Sequence, residues 1–272
     1  MTLEEIRRAW TASGGVEIQR SIWDRAASEW AGRPLPDARD ASLRLLLELS
    51  APGDRCLDIG CGDGRYALAL AMAGRACLGV DLSPEMISLA QRRALEDGGR
   101  NVTFQCGSWL ETRLEPGGFD LVFARMTPAV AGYDAFRRMM DCSRRWCVLE
   151  KHTQRSDAVL DAVLSEAGIP PSRDRDREME YARACLDALG CVPGVRIRPF
   201  QSRHRKSQAD MTAWCLDRAR LQGPLTGAQE QTIRRAVAAR AENGIVEEVL
   251  TSQVVTLYWQ VPASIQSTVG VI

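Results

Sequence analysis

Hydrophobic positions along the chain follow two rhythms. Short segments rich in apolar residues at 55–59, 76–80, 102–106, 119–124 and 146–150 read as strands. Between and after them, helical spacing covers 64–73, 84–96, 133–143 and 156–167. Ser83 and Pro84 suit the N-cap and first position of the second of these helices. Strand alternating with helix predicts a mostly parallel, doubly wound α/β sheet with helices on both faces. Ahead of this core, helices are predicted over 3–12 and 15–31, parted by Gly14-Gly15, and over 38–49, stopped by Pro52-Gly53. Behind it come a helix at about 176–189, a strand at 195–200, helices at 208–220 and 227–242 split by Gly223-Pro224, and a long strand at 247–260. The sign-alternating run 173–178 reads as a solvated loop and helix start.

The chemistry concentrates at two strand ends. Residues 57–64 read Leu-Asp-Ile-Gly-Cys-Gly-Asp-Gly, a strand running into a glycine turn. Residues 79–83 read Gly-Val-Asp-Leu-Ser, a strand ending in a carboxylate. Adjacent strand ends of this kind build a nucleoside pocket, with backbone close to the ligand at one and an acid for ribose hydroxyls at the other. The dinucleotide fingerprint is GxGxxG; here Gly60, Gly62 and Gly64 alternate, and Asp58 stands two residues before the first. An acid there repels pyrophosphate and attracts an ammonium. The turn suits a nucleoside with a cationic amino-acid tail better than a nicotinamide cofactor.

These two segments, with Pro-Glu-Met-Ile after the second, resemble the first two motifs of class I S-adenosylmethionine-dependent methyltransferases of small-molecule type. Val-Thr-Phe-Gln-Cys-Gly-Ser-Trp at 102–109 is similar to the third-strand motif, and Phe-Asp-Leu-Val-Phe-Ala-Arg at 119–125 to the fourth. The resemblance covers 40–151. It implies a Rossmann-like methyltransferase fold, seven-stranded with an antiparallel last strand, and S-adenosyl-L-methionine as cofactor. It implies that Asp58 and the backbone of Gly60, Cys61 and Gly62 hold the methionine end, and that Asp81 accepts from the ribose hydroxyls. Leu82 and Met86 would pack near the adenine, with Ser108 and Trp109 at its edge. Many relatives carry an acid where Ser108 stands. Arg125 and Met126 would line the methionine and methyl side.

Composition narrows the partner. Lys+Arg and Asp+Glu are both 35, and a dedicated nucleic-acid binder carries a basic excess. Arg-Met-Thr-Pro-Ala-Val follows the fourth strand instead of an Asn-Pro-Pro-Tyr type segment, which counts against base-amino methylation of nucleic acid. Nine cysteines without a CxxC read as buried apolar residues, so no metal is expected. No signal-like or membrane-spanning stretch is found, and a cytoplasmic location is the default expectation.

Methyl transfer from a sulfonium is an in-line displacement that mainly needs alignment, and no general base is obligatory. Glu150 and His152, at the end of the fifth strand, are candidate bases. His204, within Arg-His-Arg-Lys at 203–206, is a candidate contact for an anionic substrate, or else part of an exposed turn. Arg125 calls for a carboxylate partner, in substrate or protein. Trp23, on the second helix, is a further candidate substrate contact. The expected organisation is one domain: an N-terminal helical lid over 1–39, a cofactor core over 40–151, and a C-terminal part, 152–272, with a helical cap over 208–242. The expected acceptor is a small molecule. Protein or RNA methylation, a non-methyl use of the cofactor, and a regulatory binder are the alternatives.

Overall fold

A computed structural model describes residues 1–11, 15–170 and 174–262. Ala12, which ends the expected helix 3–12, Gly14, Arg173, which opens the run 173–178, and residues 263–272 lie outside these. The chain runs α1 (Leu3–Ala9), α2 (Val16–Trp30), α3 (Ala41–Glu48), β1 (Arg55–Ile59), α4 (Arg65–Met72), β2 (Ala76–Asp81), α5 (Pro84–Glu96), β3 (Val102–Cys106) and β4 (Phe119–Arg125). It continues through α6 (Tyr133–Cys142), β5 (Ser143–Asp157), α7 (Ala158–Glu166), α8 (Asp174–Ala188), β6 (Gly194–Ser207), α9 (Gln208–Arg220), α10 (Gly227–Ala238) and β7 (Ile245–Gln260).

All seven strands form one sheet in the order β3-β2-β1-β4-β5-β7-β6. The first five are parallel, and β7 runs antiparallel to both its neighbours. The centre is apolar on both faces because helices cover both: Leu57, Ile59, Val122 and Ala124 pack with Phe136 and Met139 of α6, while Leu121 and Phe123 pack with Leu45 of α3 and Tyr66 of α4. Local chemistry sets the helix starts. Asp40 accepts from the amides of Ser42 and Leu43, both at 2.9 Å, so α3 begins after it rather than at 38. Ser83 caps α5 through the Met86 amide, with Pro84 in the first turn.

The carboxyl-terminal third departs most from expectation. Strand β5 reaches Asp157 and β6 reaches Ser207, well past the expected ends at 150 and 200. The partner explains this: the sixteen residues of β7 pair with β5 out to Asp157↔Leu250 and with β6 out to Ser207↔Ile245. A third core, including Leu160, Met211, Ile233 and Val246, packs α7, α9 and α10 onto this extension. Glu248 of β7 caps α7, accepting from the amides of Val159 and Leu160 at 2.9 and 3.1 Å. The segment holding His204 is therefore strand, not an exposed turn.

Candidate functional site

The carboxyl ends of β1, β2 and β4 open into a pocket of ≈ 210 Å³. Its wall includes Asp58, Gly60, Cys61, Gly62, Asp81, Leu82, Met86, Ser108, Trp109, Arg125 and Met126, the whole predicted cofactor set. Val16, Gln19, Trp23 and Trp30 of α2 complete it from the amino-terminal side.

The turn after β1 is a cradle with one open position. Gly60, Gly62 and Gly64 all have positive φ, at 67°, 54° and 74°. A Cβ on Gly60 would stand 2.0 Å from Thr127 Oγ1, and one on Gly64 would stand 2.6 Å from Phe104 Cζ. A Cβ on Gly62 meets nothing within 4 Å and faces the free space of the pocket. Two glycines thus permit packing, and the middle one leaves room for a ligand.

Asp81 is held by the same turn. Its two oxygens accept from the Gly62 amide at 2.8 Å and the Ser83 amide at 2.9 Å. This orients the carboxylate and leaves further lone pairs on both oxygens free of these two amides. Burial pushes its pKa up, and the hydrogen bonds from Ser83 and Gly62 oppose that. Asp58 is buried, and no Lys or Arg lies within 4.0 Å of it among the described residues. Burial and then Asp81 push its pKa well up, against the pull of Arg125. A buried carboxylate without an ion-pair partner favours a bound cation.

Arg125 finds its carboxylate in the protein. Its Nε is 2.8 Å from Glu150 Oε1, and its guanidinium sits 4.3 Å from the centre of the Tyr66 ring. Tyr66 in turn donates to Asp40 at 2.8 Å. Met126 follows with φ 54°, a left-handed conformation unusual for a side chain of this size, fixed by its amide donating to the Glu150 carbonyl at 2.8 Å. Trp109 is buried, with its indole N–H given to the Ala129 carbonyl at 2.7 Å, so it offers the pocket only ring surface. Ser108 lies beside it on the pocket wall.

The remaining candidates sit off the pocket wall. Glu150 is buried and takes hydrogen bonds from Ser42 at 2.8 Å and Thr256 at 2.8 Å, with Arg198 at 3.4 Å. His152 places Nδ1 2.8 Å from Ser252 Oγ and its ring 4.9 Å from Phe200. His204 pairs with Ser202 at 2.9 Å, and burial, then Lys206 and Arg33, push its pKa down. Tyr66, Asp63, Arg65 and Thr127 were missed as wall residues. A sequence signal existed for three of them, since they fall within or just behind the glycine turn; Thr127 is placed by the strained backbone at Met126. Among the described residues no group of three His, Cys, Asp or Glu is arranged for a metal, and no helix is long and apolar enough to cross a membrane.

Residues 56–148, which hold the glycine turn, Asp81, Trp109 and Arg125, match the family model described as a methyltransferase domain. The core is a class I, S-adenosylmethionine-dependent methyltransferase domain. Over 119 residues the chain is 34% identical to the 23S rRNA (uracil(1939)-C(5))-methyltransferase RlmD of Shewanella sp. (strain ANA-3), covering 43% of this chain and 26% of that one. It is 40% identical over 80 residues to the 2-heptyl-1-hydroxyquinolin-4(1H)-one methyltransferase of Mycobacteroides abscessus, covering 29% and 33%. Both alignments span a third or less of those relatives' length. Among solved structures, phosphoethanolamine N-methyltransferase 2 of Haemonchus contortus, in complex with phosphomonomethylethanolamine and S-adenosylhomocysteine, has the same fold at a TM-score of 0.52 and 18% identity. That superposition covers 89% of this chain and 60% of the other.

Proposed function

We propose that this methyltransferase domain transfers the methyl group of S-adenosylmethionine to a small-molecule acceptor by in-line displacement. The observation that carries the reading is the clamp on Asp81. Both its oxygens are fixed by backbone amides at the rim of a pocket that also holds the cation-seeking Asp58. The residues fit the cofactor. Asp81 takes the ribose hydroxyls, Asp58 the ammonium, the open face of Gly62 the adjoining chain, and Met86 with the Trp109 ring the adenine. When bound, the cofactor supplies an activated methyl group and its own leaving group. The protein's part is to orient and to exclude water. Arg125, held from below by Glu150, and Tyr66 border the space left for the acceptor. Glu150 acts as the anchor of Arg125 and not as a base, because Ser42, Thr256 and two guanidinium groups occupy its oxygens. His152 and His204 stand outside the reacting space.

An acceptor of small size is supported by the roofing of the pocket. Helix α2 crosses it and is fastened at several points: Ser83 Oγ donates to Asp24 at 2.5 Å, Arg25 pairs with Asp217 of α9, and Lys206 Nζ reaches Glu29 Oε2 at 2.7 Å. We read residues 1–39 as a lid and 208–242 as a cap on that basis. Incubation with S-adenosylmethionine and fractionated metabolite extract tests the reading. S-adenosylhomocysteine should form with a low-molecular-mass fraction. Formation of methylthioadenosine, or turnover only with an RNA or protein fraction, would contradict it.

A further inference from the structure

The pocket has opposite electrostatics on its two sides. Asp58 and Asp81 face the cofactor, whereas guanidinium groups gather where α2 ends against the start of α4. The Arg33 guanidinium stacks 4.1 Å from the Trp30 ring centre, and that of Arg65 lies 6.0 Å from the same ring. Arg65 is pinned by a hydrogen bond to the Pro34 carbonyl at 3.0 Å. Trp30, Arg65 and Tyr66 belong to the pocket wall.

The carboxylates nearby do not balance this charge. Asp63 serves two cations, Arg65 at 3.3 Å and Arg93 at 3.1 Å. Glu150 likewise serves Arg125 at 2.8 Å and Arg198 at 3.4 Å. Glu29 and Asp37, the two acids nearest in sequence to Arg33, are engaged by Lys206 and Arg39. Arg33 has no carboxylate within 4.0 Å among the described residues. Its pKa is lowered by burial and then by Arg65, with Asp63 and Glu29 pulling the other way. His204 feels the same crowding from Lys206, Arg33 and Arg155. The chain as a whole is neutral, so the excess is local. Arg33 stands just off the wall, joined to it by its stack on Trp30, and like charges crowded there are unfavourable alone and become favourable around an anion.

We propose that the acceptor is an anion, its carboxylate or phosphate held by Arg33 and Arg65 beside Trp30. Trp30, Tyr66 and Trp23 receive the apolar body, and the methyl-accepting atom reaches in toward Arg125. This rests on the methyltransferase reading and narrows its acceptor to a class.

The test uses three probes, phenyl phosphate, benzoate and benzyl alcohol, titrated by tryptophan fluorescence into the chain saturated with S-adenosylhomocysteine. Both anions should bind at least about tenfold more tightly than the alcohol, and less tightly as salt rises. The tighter of the two identifies the anionic group. Arg33→Ala should weaken the anions by about tenfold or more while S-adenosylhomocysteine affinity stays unchanged, and Arg33→Lys should restore part of the loss. Four results would overturn the inference: equal binding of the alcohol, unaltered anion affinity in Arg33→Ala, a parallel loss of S-adenosylhomocysteine affinity, or a decaribonucleotide binding more tightly than phenyl phosphate. Failure of S-adenosylhomocysteine to bind the unaltered chain overturns the underlying reading instead, which keeps the two failures distinct.

Discussion

Arg125 Nε lies 2.8 Å from Glu150 Oε1, yet its N–H is not aimed at that oxygen. The pair is an electrostatic anchor, and Glu150 accepts its directed hydrogen bonds from Ser42, Thr256 and Arg198. It joins the end of β4 and the middle of β5 to α3 and β7 beneath the pocket. Glu150→Ala should therefore cost about 3 kcal/mol, mostly through Arg125, because Arg198 is a third exposed and solvent screens its loss. Urea denaturation measures it, and an unshifted midpoint would remove Glu150 from the anchor.

The glycine turn predicts an ordered pair of effects. In Gly60→Ala the new methyl collides with Thr127, so stability should fall steeply. In Gly62→Ala there is no collision, and the left-handed backbone alone costs about 1–2 kcal/mol. The Gly62→Ala methyl enters the pocket, so this variant should stay folded and lose S-adenosylhomocysteine affinity. Calorimetric melting beside ligand titration checks the order, and a folded, fully binding Gly62→Ala would contradict it.

Asp58 predicts proton release on cofactor binding. Burial and Asp81 raise its pKa in the free protein, so it holds its proton to higher pH folded than unfolded. Its contribution to stability is accordingly most favourable below the ordinary carboxyl value and declines as pH rises through the raised one. A bound ammonium reverses the preference and expels the proton. S-adenosylhomocysteine affinity should thus increase with pH across that window. Titrations in buffers of different ionisation enthalpy should report proton release, and Asp58→Asn should abolish it. An unchanged proton count in Asp58→Asn would assign the ammonium elsewhere.

The strap formed by α2 gives a kinetic prediction. Asp24→Ala removes the acceptor for Ser83 Oγ but leaves the Ser83 cap on α5 in place. S-adenosylhomocysteine should then bind about 0.5–1.5 kcal/mol less tightly, mainly through faster dissociation in stopped-flow displacement. An unaltered off-rate would leave α2 as wall and not lid.

Much of this was legible in the chain, and the reason is local. The turn at 60–64, the carboxylate at Asp81 and the cap at Ser83 each need particular residue types within a few positions, so spacing alone reveals them. The extension of β5 and β6 was not legible, because it depends on pairing with β7 about a hundred residues away from β5. For the same reason, the burial of Glu150 and the strand setting of His204 could not be read from their neighbours. Arg33 escaped notice because its meaning lies in Trp30 and Arg65, brought to it by the fold.

The most direct measurement is a calorimetric titration of the chain with S-adenosylhomocysteine and, separately, with NADH, repeated on Asp81→Ala. S-adenosylhomocysteine should bind at one site, NADH should not, and Asp81→Ala should lose about 1–3 kcal/mol of the affinity with the fold intact. Binding of NADH without S-adenosylhomocysteine, or an Asp81→Ala variant that binds S-adenosylhomocysteine as the unaltered chain does, would contradict the account.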